Sequence, residues 1–430
     1  MRLELLPPSS FAAPEMQGTP GQQDMRVPWP PLEAEPNIVD PSARPRVVHV
    51  ITRLIVGGAQ RTVIGLADGL ADEYDISIVC GPDEGAEGSL RRDAAAVAPV
   101  TVVSRLRRDL HPLHDLSAVP ALRRTFTRLR PDIIHTHSSK AGIVGRLAAM
   151  VHGVPAVHTV HGWGHTPADH ALKTNAFVGI ERFIAGRTKA LIAVSEDVRT
   201  EGVRLRIGRV DQYRLIPEFV DFQAHHSSFH HGRRVARAAL GMGDDEEVVG
   251  WVGRFSPQKD PDTLVSSLQQ LLLSRPKTRA VLVGDGPLRT RAEAALSSAG
   301  LGDRVQFAGL RSDVRRLYCA FDVLLHVSRW EGQPMVVQEA IAERVPVVGT
   351  RVTGIGDLVV EGRTGFLVEP GEATAVAARA QEVLDCPNLR APLDASVVQE
   401  VAQAIGSVVS LERHRELYRE LAPRDRCGRQ

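Results

Sequence analysis

From Arg46 onward the chain alternates short, unbroken apolar runs with longer stretches whose apolar positions recur at helical spacing. VVHVI, ISIVC, VTVVS, DIIHTH, AVHTV, LIAVS and YRLIP are runs of the first kind. A run without polar alternation is what a parallel strand covered on both faces requires. AQRTVIGLADGLA and KAGIVGRLAAMVHG fall between such runs and predict helices. The alternation breaks at FQAHHSSFHHGRRVARAALGMGDDEE and restarts with VVGWVG, AVLVG, VQFAG, VLLHVS, PVVGT and FLVEP. Two β/α series separated by a polar break predict an α/β protein of two Rossmann-like domains facing each other across a cleft. Ligands of such sheets meet the carboxyl ends of the strands, so motifs just after strands carry the chemistry.

Residues 1–44 are rich in proline and poor in periodic apolar positions, and are expected to form a disordered leader, with Met25 as a second candidate start. The expected division is therefore a leader over 1–44, a first domain over 45–222, a second over 223–408, and a C-terminal helix and tail over 409–430. The charged helix SLERHRELYREL either lies on the surface or packs back across both domains.

Composition narrows the partners. With 430 residues, 43% of them hydrophobic, both halves can bury a core. Lys plus Arg (52) balance Asp plus Glu (51), which gives no case for nucleic acid. Cys80, Cys319, Cys386 and Cys427 form no CxxC pair and fit a reducing compartment. No apolar run approaches the roughly 20 residues that span a bilayer, and the first residues lack a signal-peptide core. The expected location is the cytoplasm, with attachment to the inner face of the membrane left open. RLRRDLHPLHDLSAVPALRRTFTRLR, residues 105–130, interleaves cations with leucines. It reads either as solvated helices or as a segment drawn to an anionic membrane or lipid diphosphate.

Candidate chemistry sits where the strands end. Gly57 and Gly58 open a helix after the first strand, as a simple turn or as a close approach to an anion. Neither GxGxxG nor an acidic residue placed for a nicotinamide ribose accompanies them, which disfavours a dehydrogenase. Arg254 and Lys259 follow VVGWVG in one short loop and suit a diphosphate, Arg as a fork and Lys as a point charge. Asp260-Pro261-Asp262 is a DxD, but helix capping by Asp260 with Pro261 at the first helical position explains it better than a metal. GDGPLR is a glycine turn in which Asp285 is a turn residue. The stretch EGQPMVVQEA sets Glu331 in a loop, Pro334 at a helix start and Glu339 in the second turn among apolar side chains. The backbone N–H groups near Pro334 to Val336, those of Met335 and Val336 since proline has none, face a phosphate in this reading, and a partly buried Glu339 needs donors such as paired ribose hydroxyls. His135/His137 form an HxH without an evident third ligand, so no metal is expected. His161, after the AVHTV strand, is placed to hydrogen-bond a substrate hydroxyl.

The ordered set VGGAQR, HTVHG, AVSEDVR, GRFSPQKD, VGDGPLR, DVRRLYCAFDVLLHVSRWEGQPMVVQEAIA and GIGDLVVEGRTGFLVEP resembles the family-4 retaining glycosyltransferases of the GT-B fold over roughly residues 46–421. The resemblance implies that Arg254 and Lys259 hold the donor diphosphate, Glu339 the nucleotide ribose, and Glu331 the region of donor sugar and phosphate. It places His161 near the sugar hydroxyls and Gly57 and Gly58 along the cleft from the acceptor side. Pro334, Met335 and Val336 meet the phosphates. Thr353, Gly354, Ile355 and the backbone around Leu310 complete the donor pocket, Leu310 beside the base. It also implies a C-terminal helix crossing back to the first domain, and no cofactor beyond a nucleotide diphosphate sugar as co-substrate. The HTHSSKAGIVGR and HTVHGWG segments are similar to members that build bacterial surface polysaccharides, often on a polyprenyl-diphosphate carrier. One position departs from the family pattern: the usual Pro-Asn-Gly between the domains is Pro217-Glu218-Phe219 here. The alternatives are a nucleotide-sugar 2-epimerase, which needs no acceptor, and a nucleotide-sugar-binding protein without catalysis.

Overall fold

The computed structural model describes residues 44–83, 87–107, 112–165, 170–222 and 229–422. Apart from Arg44, the expected leader lies outside the described residues, as does part of the basic segment and the chain after Ala422.

Each unbroken apolar run is a strand. The first series comprises β1 (Arg46–Ile51), β2 (Asp75–Cys80), β3 (Val100–Val102), β4 (Ile133–His137), β5 (Ala156–Val160), β6 (Ala190–Ala193) and β7 (Tyr213–Leu215). The second comprises β8 (Glu247–Val252), β9 (Thr278–Val283), β10 (Val305–Gly309), β11 (Val323–His326), β12 (Val347–Thr350) and β13 (Gly365–Val368). They form two parallel sheets, ordered β3-β2-β1-β4-β5-β6-β7 and β10-β9-β8-β11-β12-β13. Strand order reverses beside β1 in the first sheet and beside β8 in the second, which opens a crevice at the carboxyl edge of each.

Each sheet is covered on both faces, which is why its strands lack polar alternation. In the first, one face packs Ala118, Leu122 and Phe126 of the Pro112–Leu129 helix with Val144 and Ala148 of the Ser139–His152 helix. That helix uses its apolar side for the core and leaves Arg123, Arg124 and Arg128 exposed. The other face packs Val63 and Leu66 together with Leu417 and Tyr418 of the C-terminal helix Ser407–Leu421. Tyr74 donates its hydroxyl proton to Arg415 O, and Ser410 Oγ donates to Pro217 O. The C-terminal helix therefore packs on the first sheet and against the crossover between the domains.

The polar stretch between the two series is more than a linker. It contains the helix Phe229–Ala239, whose Arg233 and Arg237 both donate to Asp322 just before β11. Arg390 and the backbone N–H of Val248 complete the set around that buried carboxylate.

Candidate functional site

The carboxyl ends of both sheets open into one cleft of roughly 1760 Å³. Ligand pockets for single small molecules are typically about 300–1,000 Å³, so this one has room for two substrates. Its walls come from the loops after β1, β8, β9, β11 and β12, and from the ends of β5 and β6.

The loop after β8 carries both expected cations. Lys259 Nζ lies 2.5 Å from Glu331 Oε1, and Gln258 Nε2 donates to Trp330 O and to Glu331. His326, at the end of β11, brings its Nε2 to 3.5 Å from the same carboxylate. Burial alone would raise the Glu331 carboxyl, but Lys259 and His326 outweigh it and hold it down at about 2. Glu331 is thus an anion fixed beside Lys259. Arg254 reaches across the cleft to Glu87 at 2.5 Å, and Glu87 also pairs with Arg53 at 2.6 Å. An incoming anion meets two cations that already hold carboxylates and must exchange with them.

The helix Met335–Ala342 points its amino end into the cleft. Pro334 is its N-cap rather than its first residue, so the orphan N–H groups of the first turn begin at Met335 and Val336. Glu339 is buried and accepts a 2.6 Å hydrogen bond from the Tyr318 hydroxyl. Burial raises its carboxyl, and the Tyr318 bond opposes that. Sequence reasoning asked for donors to Glu339 and missed that the protein supplies one. Met335 packs against Gly58, where a Cβ would crowd its sulfur. Gly57 lines the cleft as the N-cap of the Gly58–Gly69 helix. Leu310 lies partly exposed on the cleft wall.

Further expectations change. Thr353 faces the cleft, but Ile355 is fully buried in the core beneath it, and the Gly354 N–H is donated to Asp197 at 2.9 Å. Asp260 does not cap its helix through its side chain. Its carboxylate accepts from Thr263 and Arg329 instead, while Asp262 pairs with Arg291. His161 lines the cleft, yet both ring nitrogens are engaged, Nδ1 with Glu218 at 2.7 Å and Nε2 with His137 at 3.0 Å. The HxH also has a third neighbour. His49 stands in register with His135, and His49, His135 and His137 cluster in the core. His49 Nδ1 and His137 Nε2 bond directly at 2.9 Å.

The domains meet below the cleft through specific contacts. Ser195 Oγ donates to Gly332 O, and the Glu218 N–H donates to Gln333 Oε1. Gly332 lies so close to the His161 carbonyl oxygen that a Cβ there would overlap it. Among residues the sequence did not single out, Glu87, Gln258, His326 and Gln333 contribute directly. His326 alone carried a signal, as a histidine ending an apolar strand.

Residues 232–397 match the family model of glycosyl transferases group 1, and residues 56–224 that of Glycosyltransferase Family 4. The chain is 28% identical over 329 residues to a UDP-Gal:alpha-D-GlcNAc-diphosphoundecaprenol alpha-1,3-galactosyltransferase of Escherichia coli, covering 75% of this chain and 84% of that enzyme. It is 31% identical over 294 residues to D-inositol 3-phosphate glycosyltransferase 2 of Catenulispora acidiphila, covering 63% of this chain and 67% of that one. Among solved structures, Anabaena HepE in complex with UDP-glucose superposes with a TM-score of 0.74 at 24% identity, over 87% of this chain and 99% of that one. Sucrose-phosphate synthase from Thermosynechococcus elongatus gives 0.75 at 23% identity, over 88% and 99%. These two likenesses are of fold.

Proposed function

The chain belongs to the family-4 glycosyltransferases with the GT-B fold, and we propose that it moves a hexose-type sugar from a nucleotide diphosphate sugar to a hydroxyl acceptor with retention of anomeric configuration. One observation carries this reading: Arg254, Lys259, Glu331, the amino end of the Met335–Ala342 helix and Glu339 line a single cleft. In that order they match a diphosphate, a sugar and a ribose.

In the proposed reaction the bond between the anomeric carbon and the diphosphate oxygen breaks, and the acceptor oxygen bonds to that carbon from the same face. The leaving phosphate oxygen takes the acceptor's proton. Arg254, Lys259 and the N–H groups of Met335 and Val336 stabilise the charge growing on the diphosphate. Glu331 holds Lys259 in place and faces the sugar. Glu339, kept in one orientation by Tyr318, accepts from the ribose hydroxyls. Closure of the domains excludes water and limits hydrolysis of the donor.

For the acceptor, the Escherichia coli relative's named substrate favours a polyprenyl-diphosphate-linked saccharide. The helix Ala171–Ala185 supports this. Its residues Ala171, Thr174 and Asn175 line the cleft, while Ala176, Ile180 and Phe183 line an apolar groove with Ile143 and Leu147. A lipid tail leaving the cleft would find that groove on the same helix. Among the described residues no helix is long and apolar enough to cross a membrane, so the proposed contact is peripheral, with the exposed arginines of residues 105–130 toward anionic headgroups.

A thermal-shift panel of nucleotide sugars tests the reading, because a donor that binds only the folded state raises the melting temperature. One nucleotide sugar is expected to stand out, and Glu339→Ala to weaken its affinity by about ten- to a hundredfold, the loss of a charged hydrogen-bond acceptor. A panel without any shift, or an unchanged affinity in Glu339→Ala, refutes the donor site.

A further inference from the structure

Behind the wall of the cleft, hydrogen bonds join Glu218 to a row of buried histidines. Glu218 Oε1 lies 2.7 Å from His161 Nδ1, His161 Nε2 lies 3.0 Å from His137 Nδ1, and His137 Nε2 lies 2.9 Å from His49 Nδ1. His49 Nε2 faces the Tyr418 hydroxyl at 3.5 Å. Tyr418 meets His135 Nδ1 at 2.5 Å, and His135 Nε2 lies 2.7 Å from Thr159 Oγ1. Strand geometry builds the row. His135 and His137 sit two apart on β4 and share a face, His49 pairs with His135 from β1, and β5 ends just before His161.

A neutral imidazole has one N–H and one lone pair, so each link dictates the next. A carboxylate only accepts, so His161 donates from Nδ1 to Glu218. With a neutral His161, its Nε2 accepts from His137 Nδ1–H, and His137 Nε2 from His49 Nδ1–H. His49 Nε2 accepts from Tyr418 O–H, the Tyr418 oxygen accepts from His135 Nδ1–H, and His135 Nε2 accepts from Thr159. Every proton points toward the one carboxylate.

We propose that Glu218 is a positioning residue whose carboxylate orders this row and holds His161 with its proton on Nδ1 and its ring fixed against the cleft. Glu218 is itself anchored from both domains. Thr62 Oγ1 donates to its Oε2 at 2.6 Å, and its N–H is bonded to Gln333 of the donor loop at 2.8 Å. An amide at this position would offer an N–H as readily as a carbonyl and leave the direction of the row unset. With both ring nitrogens committed, His161 presents an oriented ring edge to the donor rather than a free N–H.

The spacing of the row favours direct hydrogen bonds over a metal ion. Ligand nitrogens around a tetrahedral zinc stand about 3.3 Å apart, given Zn–N bonds of about 2.0–2.1 Å. The His49–His137 separation of 2.9 Å is that of a direct hydrogen bond.

The kinetic part of the test rests on the proposed transfer reaction, and the spectroscopic part does not. Long-range ¹H–¹⁵N spectra of the ligand-free full chain with ¹⁵N-histidine, assigned through His161→Asn, read each tautomer directly. His161, His137 and His49 are expected to carry the proton on Nδ1 alone. Glu218→Gln should give His161 a mixture of both tautomers. Its kcat should fall about ten- to a hundredfold with donor KM little changed, the usual effect of removing a group that orients an active-site imidazole. Tyr418→Phe, at the far end, should leave the His161 tautomer as it is. The proposal fails if wild-type His161 carries its proton on Nε2 or on both nitrogens. It also fails if Glu218→Gln keeps the single form or the full kcat, if Tyr418→Phe changes the tautomer, or if the purified chain holds stoichiometric zinc. A chain inactive toward every donor would refute the transfer reading and leave the wild-type spectrum to decide this one.

Discussion

Lys259→Ala and Arg254→Ala are each expected to lower turnover by about 10²–10³, the usual effect of deleting one donor to a developing oxyanion. The two variants should differ in stability. Arg254 is partly exposed and pairs with Glu87 across the cleft, so its loss disturbs the fold little. Lys259 pairs with Glu331, whose side chain is only 8% exposed. Removing the ammonium leaves a largely buried carboxylate with His326 and Gln258 as its remaining partners, and breaking such a pair costs about 3–5 kcal/mol. Lys259→Ala should therefore melt well below the wild type, and adding Glu331→Gln should restore the melting temperature without restoring turnover. Initial rates of nucleoside diphosphate release, measured with thermal melts, separate these effects. Near-normal turnover in both single variants would remove the diphosphate assignment. Recovery of turnover along with stability in the double variant would show that Lys259 acts only through Glu331.

The histidine-rich core should make the protein sensitive to mild acid. Burial, with smaller contributions from neighbouring charges, lowers His49 to about 3, His414 to about 4, and His135, His137 and His158 well below the usual imidazole range. In the unfolded chain each takes up a proton near pH 6.5. Below that pH the unfolded state binds protons that the folded state refuses, so stability is complete above about 6.5 and is lost as pH falls toward the folded values. Each imidazole removes about 1.4 kcal/mol per pH unit, and five together about 7. Against a total of about 5–15 kcal/mol for a folded domain, the cooperative melting transition should be gone near pH 5. Glu331 does not contribute to that loss. Its depressed carboxyl stabilises the fold above about 4.5 and gives this up only as pH falls from there toward about 2. A melting temperature constant from pH 7 to pH 5 would show that the imidazoles are not buried and neutral.

The two predictions draw on residues of very different legibility. Arg254 and Lys259 stand out because a short loop after an apolar strand offers few reasons for two cations. The histidines do not. His135 and His137 read as an HxH without a third ligand, because His49 lies 86 residues before His135 in the chain and becomes its neighbour only when β1 pairs with β4. Glu218 was visible as a departure from a family pattern, but its partners Thr62, His161 and Gln333 come from three separate segments. Asp260 is legible only in part. Local rules place it correctly as the N-cap, with Pro261 first in the helix, but its carboxylate satisfies Thr263 and Arg329 rather than the helix N–H groups.

By itself the sequence determined the strands, their parallel arrangement in two α/β sheets, and which loops lie at the carboxyl edge. All of these follow from the period and continuity of apolar positions, which are local. Only the tertiary structure decided what each charged or polar side chain touches: that Lys259 holds Glu331, that Tyr318 holds Glu339, that Ile355 turns into the core, and that Glu218 meets a row of imidazoles. A buried polar group must find a partner wherever the fold places one, and the distance to that partner along the chain is not written in any local pattern.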